Sequence, residues 1–317
     1  MPRILLIKTS SLGDVVHNLP VVSDLVSALP GVAIDWVVEE AFAAIPRLHP
    51  GVSRVLPVAQ RRWRRSPWQA QVWRELRQFL CGLRLQEYDF VIDTQGLFKS
   101  AWIARAARGL RHGLDRVSSR EPLGWFYDRV HPVPWGQHAV ERNRQLAALA
   151  LGRAVSGAAQ YGIRAEGPLP AGLDGRSHAV LLHATSAANK LWPETDWIEL
   201  GTVLAALGLV CVLPWGTPAE HERSERLAAR IPRAVVPERL GIEALAPLLA
   251  RARVVVGTDT GLTHLAGALG APTLGVYCAT DPAATGLHAC RQARNLGGPG
   301  AVPSAKVVIA ATLEWLA

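Results

Sequence analysis

Short apolar runs alternate with amphipathic stretches along this chain, and the spacing predicts strands alternating with helices. "RILLI" (3–7), "AIDWVV" (33–38), "VSRVLPV" (52–58) and "YDFVID" (88–93) are short and rich in β-branched or aromatic residues, as strands are. After Asn18, the residues Leu19, Val22, Val26 and Leu29 recur at helical spacing, with Pro20 in the first turn, where a missing N–H costs little. A second helix is predicted with Ser66 as N-cap and Pro67 as its first residue. Its core stripe would be Trp68, Val72, Leu76, Phe79 and Leu83.

From residue 151 the periodicity fades into a stretch rich in Gly, Ala, Pro and Ser, which predicts a linker at 166–178. A second alternating series follows. Its predicted strands lie at 178–184, 209–213, 253–257 and 272–277, and its helices near 193–206, 218–231, 241–251 and 261–269. Runs that are apolar on both faces suit parallel sheets covered by helices on two sides. The expected fold class is therefore α/β: two Rossmann-like domains, 1–165 and 179–317, with parallel sheets facing across a cleft. No apolar run nears the roughly 18 residues needed to span a bilayer, so neither a membrane span nor a signal peptide is expected. Cys81, Cys211, Cys278 and Cys290 lack metal-ligand spacing, which suggests reduced thiols in a cytoplasmic protein.

Charge separates the halves. Up to residue 165 there are 22 Lys and Arg against 13 Asp and Glu, a net of +9, whereas the remainder has 12 against 13, a net of −1. The first half should therefore meet an anionic partner. Its densest basic stretch, "RRWRRSPWQAQVW" (61–73), fits a solvated loop, a nucleic-acid patch or a site for an anionic lipid surface.

Three loops of the second half carry nucleotide-diphosphate chemistry. In "VVVGTDTGLTHLAGALG" (254–270) a buried strand runs into Asp259, Thr260 and Gly261 at a helix start, where free N–H groups and the helix dipole attract phosphate. "HATSAANKLWP" (183–193) offers Thr185, Ser186 and Lys190, the last being one of four lysines among 34 basic residues. "LPWGTPAEHE" (213–222) adds Trp215 and Gly216 for a flat base and Glu220 for ribose hydroxyls. Singly, each also reads as a cap, a core residue or an exposed helix residue; their recurrence after three strands favours a site. In the first half, "KTSSLGDVVHNLP" (8–20) occupies the usual phosphate-loop position but carries one glycine and an acid, Asp14. A carboxylate facing a phosphate would repel it; the other reading of Asp14 is a helix cap.

Together with "DTQGLFKS" (93–100) and "DTGLTHLAGALG" (259–270), these blocks resemble the lipopolysaccharide heptosyltransferases of glycosyltransferase family 9, in order and from Arg3 to about Asp281. The "TSSLGDVVH" and "HATS" blocks look like the enzymes that add the first heptose rather than later ones. The resemblance implies a GT-B fold whose last helix, about 305–316, returns to the N-terminal domain. It implies inverting, metal-independent transfer of L-glycero-D-manno-heptose from ADP-heptose to the inner Kdo of Kdo2-lipid A, with no cofactor. Asp14 would be the catalytic base. Thr185, Ser186, Lys190, Asp259, Thr260, Gly261 and His264 would contact the donor, and Glu220 its ribose. Charge selects Arg61, Arg62, Arg64, Arg120 and Lys99 as acceptor contacts, with His138 either joining them or buried. The implied place is the cytoplasmic face of the inner membrane, held peripherally on its anionic surface.

Two readings from other classes fit less well. A nicotinamide-dependent oxidoreductase would need GxGxxG in the first strand-to-helix turn, where "KTSSLGD" stands. A nucleic-acid binder would account for "RRWRR" but not for three donor loops, so no nucleic acid is expected as partner.

Overall fold

The computed structural model describes every residue except Asp174, Ser186 and Ala317. It divides into two compact units, Met1–Ile163 and Arg164–Ala317.

The first unit holds a six-stranded parallel sheet. Its strands are β1 (Arg3–Ile7), β2 (Ala33–Glu39), β3 (Val52–Val58), β4 (Glu87–Asp93), β5 (Arg108–Leu114) and β6 (Arg129–His131), in the order β3-β2-β1-β4-β5-β6. The order reverses beside β1, the position at which open α/β sheets place ligands. On one face, Leu83, Ala101, Ile103, Leu123 and Tyr127 close over Leu5, Ile7 and Val91. Two strands of this sheet escape the sequence reading: β5 ("RGLRHGL") and β6 ("RVH") carry alternating charges because they form the outer side of the sheet.

The helix predicted from Ser66 begins later, spanning Ala70–Arg84 with Gln69 as N-cap, and a short helix Gln60–Trp63 precedes it. Trp68 therefore lies outside the helix and is exposed, not part of a core stripe. Val72 and Leu83 are buried as expected.

The second unit has five parallel strands, β7 (His178–Leu182), β8 (Val210–Val212), β9 (Val254–Thr258), β10 (Thr273–Tyr277) and β11 (Ala293–Gly297), ordered β11-β10-β9-β7-β8. Trp192 and Trp197 are fully buried and meet edge to face at 5.0 Å beneath Leu200, Leu204 and Leu227. The helix Ala305–Leu316 belongs to the second unit, packing on helix Glu194–Ala206 and on β9 and β10. Val308 and Ala311 join the same core as Leu200 and Val256, which gives that helix a local apolar seat.

Three core histidines set a pH dependence. His49 accepts or donates to Ser23 Oγ at 2.9 Å, His112 stacks on His131 with 3.0 Å between ring nitrogens, and His183 meets Ser224 Oγ at 2.8 Å. Burial pushes each of the three down from 6.5 to about 4. They stay neutral in the fold while the unfolded chain takes up protons below 6.5, so stability is full above that pH and drains away toward pH 4. Thermal melts should show Tm falling between pH 7 and 4.5; an unchanged Tm would contradict the neutral buried state.

Candidate active site

In the first unit, the loop after β1 is built by its neighbour after β4. Gln95 Oε1 accepts from the backbone N–H of Thr9 and Ser10, both at 3.0 Å. Asp93 Oδ1 in turn accepts from the N–H of Gln95 and Gly96, the latter a glycine at φ +65° that the tight turn requires. Tyr127 donates to Asp93 Oδ2 at 2.8 Å. The loop is thus held through its backbone N–H groups by the Gln95 side chain.

Asp14 lies in the first turn of helix Leu12–Val16 and accepts on Oδ2 from Ser11 N at 2.6 Å and Ser11 Oγ at 2.9 Å. The helix-cap reading is therefore correct as far as it goes. Both bonds fall on one oxygen, however, and the residue is only half-buried. Beside the loop, Lys8 is buried, its Nζ donating to Thr94 O at 2.7 Å and Asn143 Oδ1 at 3.3 Å. Burial pulls the Lys8 ammonium below its ordinary range, opposed by the negative charges of Asp14 and Asp93. Sequence reasoning missed Lys8 because its burial arises from contacts with residues 94 and 143.

The predicted acceptor cations divide. Lys99 Nζ donates to Ser10 Oγ at 2.6 Å. It also lines, with Arg61, Arg64, Gln60 and Trp73, a cavity of about 410 Å³. Desolvation and the charge of Arg61 lower its pKa, so an anion placed in this cavity would gain by neutralising crowded cations. Arg62 is committed elsewhere, to Glu40 at 3.0 Å and Glu75 at 2.8 Å. Arg120 is exposed and stands near Lys8 and Arg142 only through long-range charge. His138 is the N-cap of helix Ala139–Ala150, its Nδ1 accepting from Val140 N at 3.2 Å.

In the second unit, the loops after β7, β9 and β10 converge on Asp259. Its Oδ2 accepts from Lys190 Nζ at 2.7 Å and Thr280 Oγ1 at 2.8 Å, His264 Nε2 stands 3.6 Å from Oδ1, and Thr185 Oγ1 donates to the Asp259 carbonyl at 3.1 Å. Burial disfavours the charge, but hydrogen bonds from His264, Lys190 and Thr280 outweigh it and hold the carboxyl below the usual range. Lys190 is thus paired with a carboxylate, which the sequence reading did not foresee. Thr280 was also missed, since only the pairing of β9 with β10 brings it beside Asp259.

Helix Gly261–Ala268 starts at this cluster. Thr260 is its N-cap, with the carbonyl accepting from Thr263 at 3.0 Å and the hydroxyl making no cap bond. The first N–H groups and the helix dipole therefore favour an anion here. A Cβ on Gly257 would stand 2.1 Å from Thr263 Oγ1, so a side chain there would displace the turn. Ser186 lies outside the described residues. Glu220 caps helix Pro218–Ala228, Oε2 accepting from Gly216 N at 2.7 Å and Thr217 N at 3.1 Å. Trp215 packs on His221 with ring centroids 4.3 Å apart. Both follow β8, next to β7 in the sheet.

A helix terminus open to an anion, a lysine–aspartate pair and a second α/β unit with crowded cations suit an enzyme that handles phosphorylated donors. The chain belongs to glycosyltransferase family 9 (heptosyltransferase), which it matches over residues 58–308. It is 49% identical over 289 residues to lipopolysaccharide heptosyltransferase 1 of Pseudomonas aeruginosa, covering 90% of this chain and 81% of the relative. The structure of E. coli heptosyltransferase WaaC with ADP superimposes with a TM-score of 0.91 at 42% identity, covering 99% of each chain. The same enzyme with ADP-2-deoxy-2-fluoro heptose gives 0.88, covering 99% of this chain and 100% of that one. The two parallel α/β sheets are accordingly those of a GT-B type fold.

Proposed function

We propose that the protein transfers L-glycero-D-manno-heptose from ADP-heptose to the inner Kdo of Kdo2-lipid A, with inversion and without a metal. Asp14 takes the proton of the acceptor hydroxyl as its oxygen bonds to the anomeric carbon and the bond from that carbon to the diphosphate breaks. The first N–H groups of helix Gly261–Ala268, with Thr185, Thr260 and Lys190, take up the charge left on ADP. Asp259 and His264 orient the sugar, and Glu220 is assigned to the ribose hydroxyls. The observation that carries the reading is the Asp259 cluster, where Lys190, Thr280 and His264 hold one ionised carboxylate at the mouth of an anion-binding helix.

On the acceptor side, Lys99, Arg61 and Arg64 are assigned to Kdo carboxylates and lipid A phosphates, with Arg120 and Arg62 secondary because of where their charges stand. A lipid acceptor and a net of +9 support a peripheral place on the cytoplasmic face of the inner membrane. Among the described residues no helix is long and apolar enough to cross a membrane.

The test is incubation with ADP-heptose and Kdo2-lipid A in the presence of EDTA, with the product identified by mass and anomeric configuration. Retained configuration or loss of turnover with EDTA would reject that part of the reading. Turnover only with an acceptor already bearing heptose would assign a later step.

Thr280→Val should lower kcat/KM about tenfold, since a hydroxyl bonded to a charged group contributes roughly 1.5–3 kcal/mol. Thr280→Ser should restore most of it. Equal activity of Thr280→Val and the parent protein would remove Thr280 from the site.

A further inference from the structure

The eleven tryptophans are distributed as unevenly as the charge. In the second unit Trp192 and Trp197 are fully buried, and no tryptophan is among the exposed large apolar residues. In the first unit five are exposed: Trp68, Trp73, Trp102, Trp125 and Trp135. Trp135 is occupied, with Arg142 stacked 3.9 Å over its ring and its Nε1 bonded to Val117 O. Of the other four, Trp73, Trp102 and Trp125 belong to one layer.

That layer covers the sheet face on which Leu83, Ile103, Leu123 and Tyr127 form the core. Its inner side is accounted for, but its outer side is not. Phe98 and Trp102, on helix Phe98–Ala106, both meet Phe126 edge to face, at 6.0 and 5.2 Å. Trp125, next to Phe126, is 86% exposed, and Trp102 is 64% exposed. Helix Ala70–Arg84 packs beside helix Phe98–Ala106, and Trp73 shares a cavity wall with Lys99. An aromatic surface therefore runs from Trp73 through Trp102 to Trp125 across neighbouring elements.

Charge on this layer is net positive. Residues 60–108 contain nine arginines and one lysine against four acids, a net of +6, and one of those acids, Asp93, is buried. Exposed arginines such as Arg74, Arg77 and Arg105 alternate with the rings. Tryptophan placed in water beside arginine is the composition of a bilayer headgroup zone, where the indole lies at the interface and arginine reaches phosphates.

We infer that this aromatic and basic face is a docking surface for an anionic phospholipid bilayer, with Trp102 and Trp125 as inserting anchors separate from the acceptor cavity. The inference rests on the reading that the acceptor is a membrane lipid. It adds that the membrane is gripped by the protein itself, whether or not acceptor is present.

The test uses the full chain and phosphatidylcholine vesicles with and without phosphatidylglycerol, free of donor and acceptor. Cosedimentation should rise with phosphatidylglycerol and fall with salt, and tryptophan emission should shift blue and be quenched by brominated acyl chains. Trp102→Ala with Trp125→Ala should lower vesicle affinity about tenfold or more and remove most of the quenching, while turnover on an acyl-free Kdo acceptor stays unchanged. Both side chains are exposed, so melting should barely move; the single Trp125→Ala, at the most exposed ring, provides a second reading if the pair folds poorly. Arg74→Gln with Arg105→Gln should weaken binding to anionic vesicles only, by roughly fivefold per charge. Equal binding to neutral and anionic vesicles, undiminished binding of the double tryptophan variant, or tighter capture of single-stranded oligonucleotides than of vesicles would overturn the inference. Normal vesicle binding by a protein that fails to transfer heptose would reject the proposed activity and leave the docking surface intact.

Discussion

Asp14→Asn is expected to lower turnover by roughly 10² to 10⁴ with little change in donor affinity, the signature of losing a general base. The substitution is informative because Asp14 has a structural job beside the proposed catalytic one. Its Oδ2 holds Ser11 N and Ser11 Oγ, which fixes the start of helix Leu12–Val16. An asparagine keeps a carbonyl oxygen at that position, so the cap survives and only the proton acceptor is lost. Loss of the cap alone would cost about 0.5–2 kcal/mol of stability and would appear as a lower Tm. Ser11→Ala, which removes the hydroxyl but not the backbone N–H, should shift melting more than turnover. Near-normal turnover of a folded Asp14→Asn protein would leave Asp14 a cap and nothing more.

The legible parts of the sequence were those where local chemistry and long-range packing agree. Strands β1, β7 and β9 are apolar on both faces, so a buried parallel strand was the only economical reading. The helix start was legible at Thr260 and Gly261 because a strand end, a hydroxyl and a glycine precede a helical pattern within a few residues. What failed depended on distant partners. Trp68 has the spacing of a core residue, yet the chain turns at Pro67 and Trp68 and starts its helix at Ala70. β5 reads as a polar segment because half of its residues face outward. Thr280 matters only because β10 lies against β9, and Lys8 is buried only because residues 94 and 143 close over it. Glu220 shows the converse: its offset from Thr217 spells a capping box, a local role visible in sequence that the ribose assignment overshadowed.

Lys190→Ala is expected to reduce kcat/KM by about 10² to 10³, on the scale of removing one preorganised donor from a site of developing negative charge. In the proposed mechanism the lysine is shared between two anions. In the structure its Nζ lies 2.7 Å from Asp259 Oδ2, and the proposed mechanism asks the same ammonium to meet the departing diphosphate. Removing it withdraws a cation from ADP and also leaves a buried carboxylate with only Thr280 and His264 to hold it. The variant should therefore lose affinity for ADP as well as turnover. Asp259→Asn separates the two jobs: if Lys190 served only to pair Asp259, the double variant would behave like Asp259→Asn alone. Instead the double variant should fall further, because the phosphate contact is lost in addition. Lys190→Arg should not restore full activity, since a planar fork replaces a compact point charge between two anions. Asp259 itself stays ionised wherever the fold is stable, because its partners hold its carboxyl below the usual range, so its titration should add no limb to the pH–rate profile. A folded Lys190→Ala protein with unchanged ADP affinity and turnover would remove the lysine from the donor site.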